Sequence, residues 1–138
     1  MTDAKSMSND QFFAAFLDSS MPPAGFDHEG HVRAAWLLLQ RQPLENAVTD
    51  TCDAIARLAK RLGVPEKYNR TLSEVLVRLM AYGGGADPAL SWGAFLAANA
   101  DLINDARAVV ARYYSDTLLN SQAARERFLP PDRAPLPS

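Results

Sequence analysis

A disulfide needs two cysteines, and this chain of 138 residues has one, Cys52. That excludes an internal disulfide framework and any CxxC zinc or redox motif, and it fits a reducing compartment. Histidine is nearly as scarce: His28 and His31 are the only two, so no HExxH metal motif can exist. Charge of one sign is also lacking. Fourteen Lys and Arg face sixteen Asp and Glu, and a net charge of -2 leaves no electrostatic footprint for nucleic acid or an anionic membrane. Long apolar runs are missing as well, because Phe12 to Leu17 and Ala34 to Leu39 fall far below the ~20 residues that span a bilayer. Met1 to Met7 is polar and lacks the basic start of a secretory signal, so a cytoplasmic location is expected. GxSxG, SxxK and dinucleotide fingerprints are absent, and Gly83-Gly-Gly is followed by Ala-Asp-Pro rather than by GKS or GKT.

What is present is helical. The chain is 48% hydrophobic and 22% charged, which argues against disorder. A folded monomer of this size exposes roughly 7,000 Å² and buries about two-thirds of its unfolded surface, enough for one core without staples. Apolar residues recur at helical spacing, and no stretch alternates with period two for long enough to make a strand. The pattern predicts an all-α, single-domain bundle of about six helices over residues 1–129 and a Pro-rich tail over residues 130–138.

The first helix starts at Ser8, spaced from Gln11 as in a capping box, and buries Phe12, Phe13, Phe16 and Leu17. Asp27 caps a second helix with a stripe of Val32, Ala35, Trp36 and Leu39, and Pro43 stops it. A third carries a heptad-like seam from Leu44 through Val48, Thr51, Ile55 and Leu58 to Leu62, closed by Gly63, with Cys52 beside it. Thr71 and Glu74 offer a capping box for a fourth helix. Gly83 to Gly85 reads as a flexible connection. Asn99 either breaks the next apolar run and caps its second half, the favoured reading, or is a buried polar residue that needs a partner; a short helix runs from about Ser121 to Phe128, and Trp36 and Trp92 are assigned to the core.

Both histidines lie in Phe26-Asp-His28-Glu-Gly-His31, three residues apart in one helical turn and therefore on one face. The positive end of the helix dipole favours neutral imidazole, the form that binds metals and accepts protons. His28 and His31 are thus candidate ligands for a divalent metal, forming one corner of a shell that needs further ligands from elsewhere. The plainer alternative is that His28 hydrogen-bonds a neighbouring loop while His31 packs at the helix start. A second candidate is Lys67-Tyr68-Asn69-Arg-Thr71, which sets an ammonium, a phenol, an amide and a hydroxyl near a helix start. Such a set suits an anion or a polar small molecule. Its plain alternative is a solvated Lys67, a packed Tyr68 and Thr71 as a cap.

Phe26-x-His28-x-x-His31-x-x-x-Ala35, Lys67-Tyr68-Asn69-x-Thr71, Tyr113-Tyr-Ser-x-x-Leu118-x-x-Ser121 with Ala124-Arg125, and Pro131-Asp-x-x-Pro135-Leu-Pro137 together resemble a family of small, uncharacterised bacterial helical proteins. The resemblance runs from about residue 26 to the C-terminus. The family pattern pairs FxHxxH with KYHxT, which implies that the His28/His31 turn and the Lys67 to Thr71 turn face one pocket. Here Asn69 replaces the third histidine, and an amide is a weak transition-metal ligand. The expected function is binding of a polar small molecule, or a metal, by His28, His31, Lys67, Tyr68 and Asn69. In an enzymatic form, one neutral histidine acts as general base. The competing expectation is a non-catalytic interaction module, a homodimer formed through the apolar stripes of the first and third helices.

Overall fold

The computed structural model describes residues 3–137, and within them the chain is all-helical with no strand. Nine α-helices are present among the described residues: α1 (Asn9–Leu17), α2 (His28–Arg41), α3 (Leu44–Arg61), α4 (Arg70–Tyr82), α5 (Trp92–Ala98), α6 (Ala100–Asn104), α7 (Ala106–Val110), α8 (Asp116–Leu119) and α9 (Gln122–Glu126). Two single 3-10 turns, Ala4–Ser6 and Pro65–Lys67, precede α1 and α4. The accessible surface is 7334 Å², the value expected for one compact domain of this size. No helix among the described residues is long and apolar enough to cross a membrane.

Local chemistry sets the long helices. Ser8 and Gln11 close a reciprocal capping box on α1, with Ser8 Oγ accepting from Gln11 N at 3.2 Å and Gln11 Oε1 from Ser8 N at 3.0 Å. Asp27 Oδ1 caps α2 by accepting from Gly30 N at 3.1 Å. The α3 helix ends in a Schellman motif, with Val64 N bonded to Ala59 O, Gly63 N to Lys60 O, and Gly63 at φ +77°. Short connections between α2 and α3 and between α3 and α4 make each pair antiparallel. The central helix is α2, which touches α1, α3, α4 and α6 and buries Ala34, Leu37 and Leu38 in addition to Val32, Ala35 and Leu39 of its expected stripe. Arg33 straps the N-terminal segment onto it by donating to Met7 O at 2.8 Å, Asn9 Oδ1 at 2.9 Å and Ala4 O at 3.3 Å.

Several expectations are corrected. The seam of α3 is buried at Val48, Thr51 and Leu58, but its end residues Leu44 and Leu62 are 39% and 46% exposed, because α3 outruns its neighbours. Asn69, not Thr71, caps α4, and Glu74 lies buried between Arg70 and Arg78 at 3.1 and 3.0 Å instead of closing a box. The Gly83–Gly85 segment is a close-packed turn: a Cβ on Gly83 would meet Asn99 Oδ1 at 2.0 Å, and one on Gly85 would meet Met80 O at 2.8 Å. Asn99 does break the helix, yet its side chain does not cap α6. It donates to Gly83 O and Phe95 O, fastening the glycine turn to α5. Trp36 and Trp92 are half-buried at the core's edge, their ring centroids 5.2 Å apart.

The chain after α7 is a clasp. Tyr114, wholly buried, donates from its hydroxyl to Leu129 O at 2.6 Å, and burial pushes its pKa up to about 12. Thr71 Oγ1 donates to Arg127 O at 2.8 Å and accepts from Leu129 N at 3.1 Å. Ser115 donates from its hydroxyl to Asp132 at 2.6 Å and from its N–H at 2.8 Å, holding that carboxyl below its ordinary range. The described part of the tail therefore lies along the body; Ser138 falls outside the described residues.

Candidate functional site

A cavity of about 400 Å³ opens between α2, α3 and α4, and its lining includes His28, His31, Lys67, Tyr68 and Asn69. The two turns singled out in the sequence, far apart along the chain, thus border one space. The rest of its wall is chiefly aliphatic: Val32 and Ala35 from α2, Ile55 from α3, and Leu72, Leu76, Val77 and Met80 from α4. Exposure falls from one end to the other. Asp27, His28 and Lys67 are exposed at the mouth, whereas Ala35, Thr51, Val77 and Met80 are buried.

The local fold explains how the mouth is built. The Phe26 ring lies over Gly30, where a Cβ would approach it to 2.9 Å, and packs against the His31 ring with centroids 4.5 Å apart. His31 Nδ1 is 2.9 Å from Asp27 O. A carbonyl can only accept, so Nδ1 carries the proton and neutral His31 keeps its lone pair on Nε2. Burial lowers the pKa of His31, with the His28 charge acting the same way; the hydrogen bond to the Asp27 backbone and the Asp27 charge oppose them. His28 is oriented differently, its Nε2 facing Leu102 O at 3.3 Å and linking α2 to α6. Asp27 is spoken for: its carboxylate accepts from Gly30 N and pairs with Lys5 at 3.3 Å, which keeps its pKa low.

Across the mouth, Lys67 is exposed and enters no ion pair among the described residues. Tyr68 is half-buried beside Cys52. Burial first, then the neighbouring thiol, raises the phenol pKa, so Tyr68 stays a hydroxyl donor. Cys52 itself is fully buried, and desolvation pushes its pKa up to about 11, the condition of an inert packing thiol. Asn69 lines the cavity but has its amide engaged at both ends, Oδ1 accepting from Leu72 N at 2.9 Å and Nδ2 donating to Leu119 O at 2.7 Å. Its main work is to cap α4 and fasten α8.

Thr51 was legible only as a seam residue. It is 1% exposed, lines the cavity, and its hydroxyl has no hydrogen-bond partner. The polar member of an otherwise apolar heptad was the available signal. Thr71 and Tyr113 to Ser115 are not on the cavity; they belong to the packing of the C-terminal clasp. Among the described residues, no three His, Cys, Asp or Glu side chains gather where they could hold a metal ion.

A second cavity of about 270 Å³ shares His31, Ile55, Lys67 and Tyr68 with the first, so these residues form the partition between the two. Compared with known proteins, the chain matches no family model, no curated protein and no solved structure.

Proposed function

We propose that this chain binds a small molecule in the cavity between α2, α3 and α4, with the ligand's polar end at the mouth among His31, Lys67 and Tyr68. One observation carries the reading: two polar helix-start turns from distant parts of the chain open onto a single aliphatic cavity of about 400 Å³. That is ligand-sized, since small-molecule sites run from about 300 to 1,000 Å³ and combine apolar walls with a few placed polar groups. His31, neutral with a free Nε2, is the proton acceptor that the polar end would meet, and Lys67 and Tyr68 are donors. The reading agrees with the resemblance to the bacterial helical family, since His28, His31 and Ala35 of its first motif and Lys67, Tyr68 and Asn69 of its second line the cavity.

The test is ligand-dependent thermal stabilisation with a panel of small acids, alcohols and amines. Ligands that raise the Tm of the wild type should lose that effect in Ser73→Phe, where a half-buried wall position receives a ring that fills the cavity. They should also lose it in the His28→Ala/His31→Ala double variant. Equal stabilisation of wild type and Ser73→Phe would place the binding elsewhere and end the proposal.

A further inference from the structure

The cavity has a long wall on α4. On α4 it is lined by Leu72, Ser73, Leu76, Val77 and Met80, following the cap Asn69, at repeating spacings of one, three and four residues. One face of a single helix therefore forms a wall from Asn69 to Met80, about 16 Å at the rise of an α-helix. An aliphatic wall of that length fits an extended hydrocarbon chain better than a compact polar molecule.

Its two ends differ in chemistry. At the open end the unpaired full charge is the ammonium of Lys67. Asp27 is neutralised by Lys5 and capped by Gly30 N, His31 is neutral through burial, and His28 faces Leu102 O. Tyr68 lines the same space, its phenol set against the buried Cys52 thiol. One cation matches a monoanionic carboxylate; a phosphate dianion calls for more positive charge than the mouth supplies. At the closed end, among Ala35, Val77 and Met80, the Thr51 hydroxyl is buried and unpartnered. A buried hydroxyl without a partner is costly unless something comes to meet it.

We infer that the cavity takes a linear aliphatic carboxylate, its carboxylate held by Lys67, its chain laid along α4, and a second oxygen near the far end meeting Thr51. The inference rests on the cavity being the binding site. It identifies the ligand as a hydroxylated or keto medium-chain acid, with Lys67 reading the head and Thr51 the far oxygen. His31 at the partition makes the head's environment pH-sensitive, because a carboxylate beside it favours the imidazolium and binding then takes up a proton.

The experiment is calorimetric titration of the full chain, below micelle-forming concentrations, with octanoate, ω-hydroxyoctanoate, octanol and octylamine. The expected order is ω-hydroxyoctanoate tightest, octanoate next, octanol weaker and octylamine silent. Lys67→Gln, at an exposed position, should cost both acids about tenfold in affinity, the worth of a charge-assisted hydrogen bond, and leave octanol unchanged. Thr51→Val, a near-isosteric change, should erase an advantage of about fivefold that the hydroxy acid holds over octanoate. Octanol or octylamine equalling the acids, or acids indifferent to Lys67→Gln, would overturn the carboxylate head while leaving the cavity as a site. Octanoate equalling the hydroxy acid in the wild type would remove the Thr51 contact. Silence from all four would overturn both this inference and the binding site beneath it.

Discussion

Thr51 holds a hydroxyl in a place where a methyl group would pack as well. It is 1% exposed with no partner for Oγ1, so replacing it with valine should raise the stability of the ligand-free protein by about 1 kcal/mol, seen as a higher midpoint in urea. A loss of stability of that size would mean that the hydroxyl is satisfied in solution. His31 carries the opposite kind of cost. Its pKa in the folded protein is lowered from 6.5, mainly by burial, so below that pH the unfolded chain binds the proton more readily than the folded one. Stability is therefore complete above pH 6.5 and falls as the pH drops from there through the lower folded-state value. Denaturant melts across that window should show a slope that His31→Gln flattens; identical slopes would remove His31 as its source. Neither property could be read from residue type alone. The sequence showed a Thr in an apolar seam and a His at a helix start, and only the packing of α4 over α3 and of Phe26 over α2 decides what each atom meets.

At the scale of elements, the caps were the most legible features, because capping is settled within four residues. Ser8, Asp27 and Gly63 act as their spacing predicts. Where a long-range partner competes, local reading fails. Thr71 has the spacing of a cap, but its hydroxyl is taken by Arg127 O and Leu129 N, residues more than fifty positions away, and Asn69 takes over the helix start. The glycine turn misled for the same reason, since its tightness is set by Asn99 and Met80 and not by its own composition. The double role of Asn69 leads to a prediction. Asn69→His would remove the cap to Leu72 N and the donor to Leu119 O and should cost about 2 kcal/mol in chemical denaturation. Asn69→Asp, which keeps the cap, should lose about half of that. Equal stability of all three proteins would mean that Asn69 braces nothing.

For the whole molecule, α1 to α4 build most of the core and α2 to α4 the cavity, while the short helices α5 to α9 and the docked tail close the fold around them. The fold class was legible because helical periodicity runs through the chain and no strand pattern competes with it. The number of helices was not, since the break at Asn99 goes with a side chain bonded to distant Gly83 O and the one at Asp105 with a side chain that caps α7 through Ala108 N, and neither is marked by proline or glycine. The site was half legible. Two short polar turns stood out, one because histidine is so scarce and the other for its ammonium, phenol, amide and hydroxyl in five residues, and the fold brings both to one mouth. The length of the cavity and the buried Thr51 needed the packing of three helices to appear. The central claim is that this space receives a ligand, and methyl NMR reads it most directly. Titrated in turn with octanoate and octanol, the full chain should show shifts concentrated in Val32, Ile55, Leu72, Leu76, Val77 and Met80, the methyls of the cavity wall. No movement of these methyls with either compound, or movement confined to the surface around Leu44 and Tyr82, would contradict it.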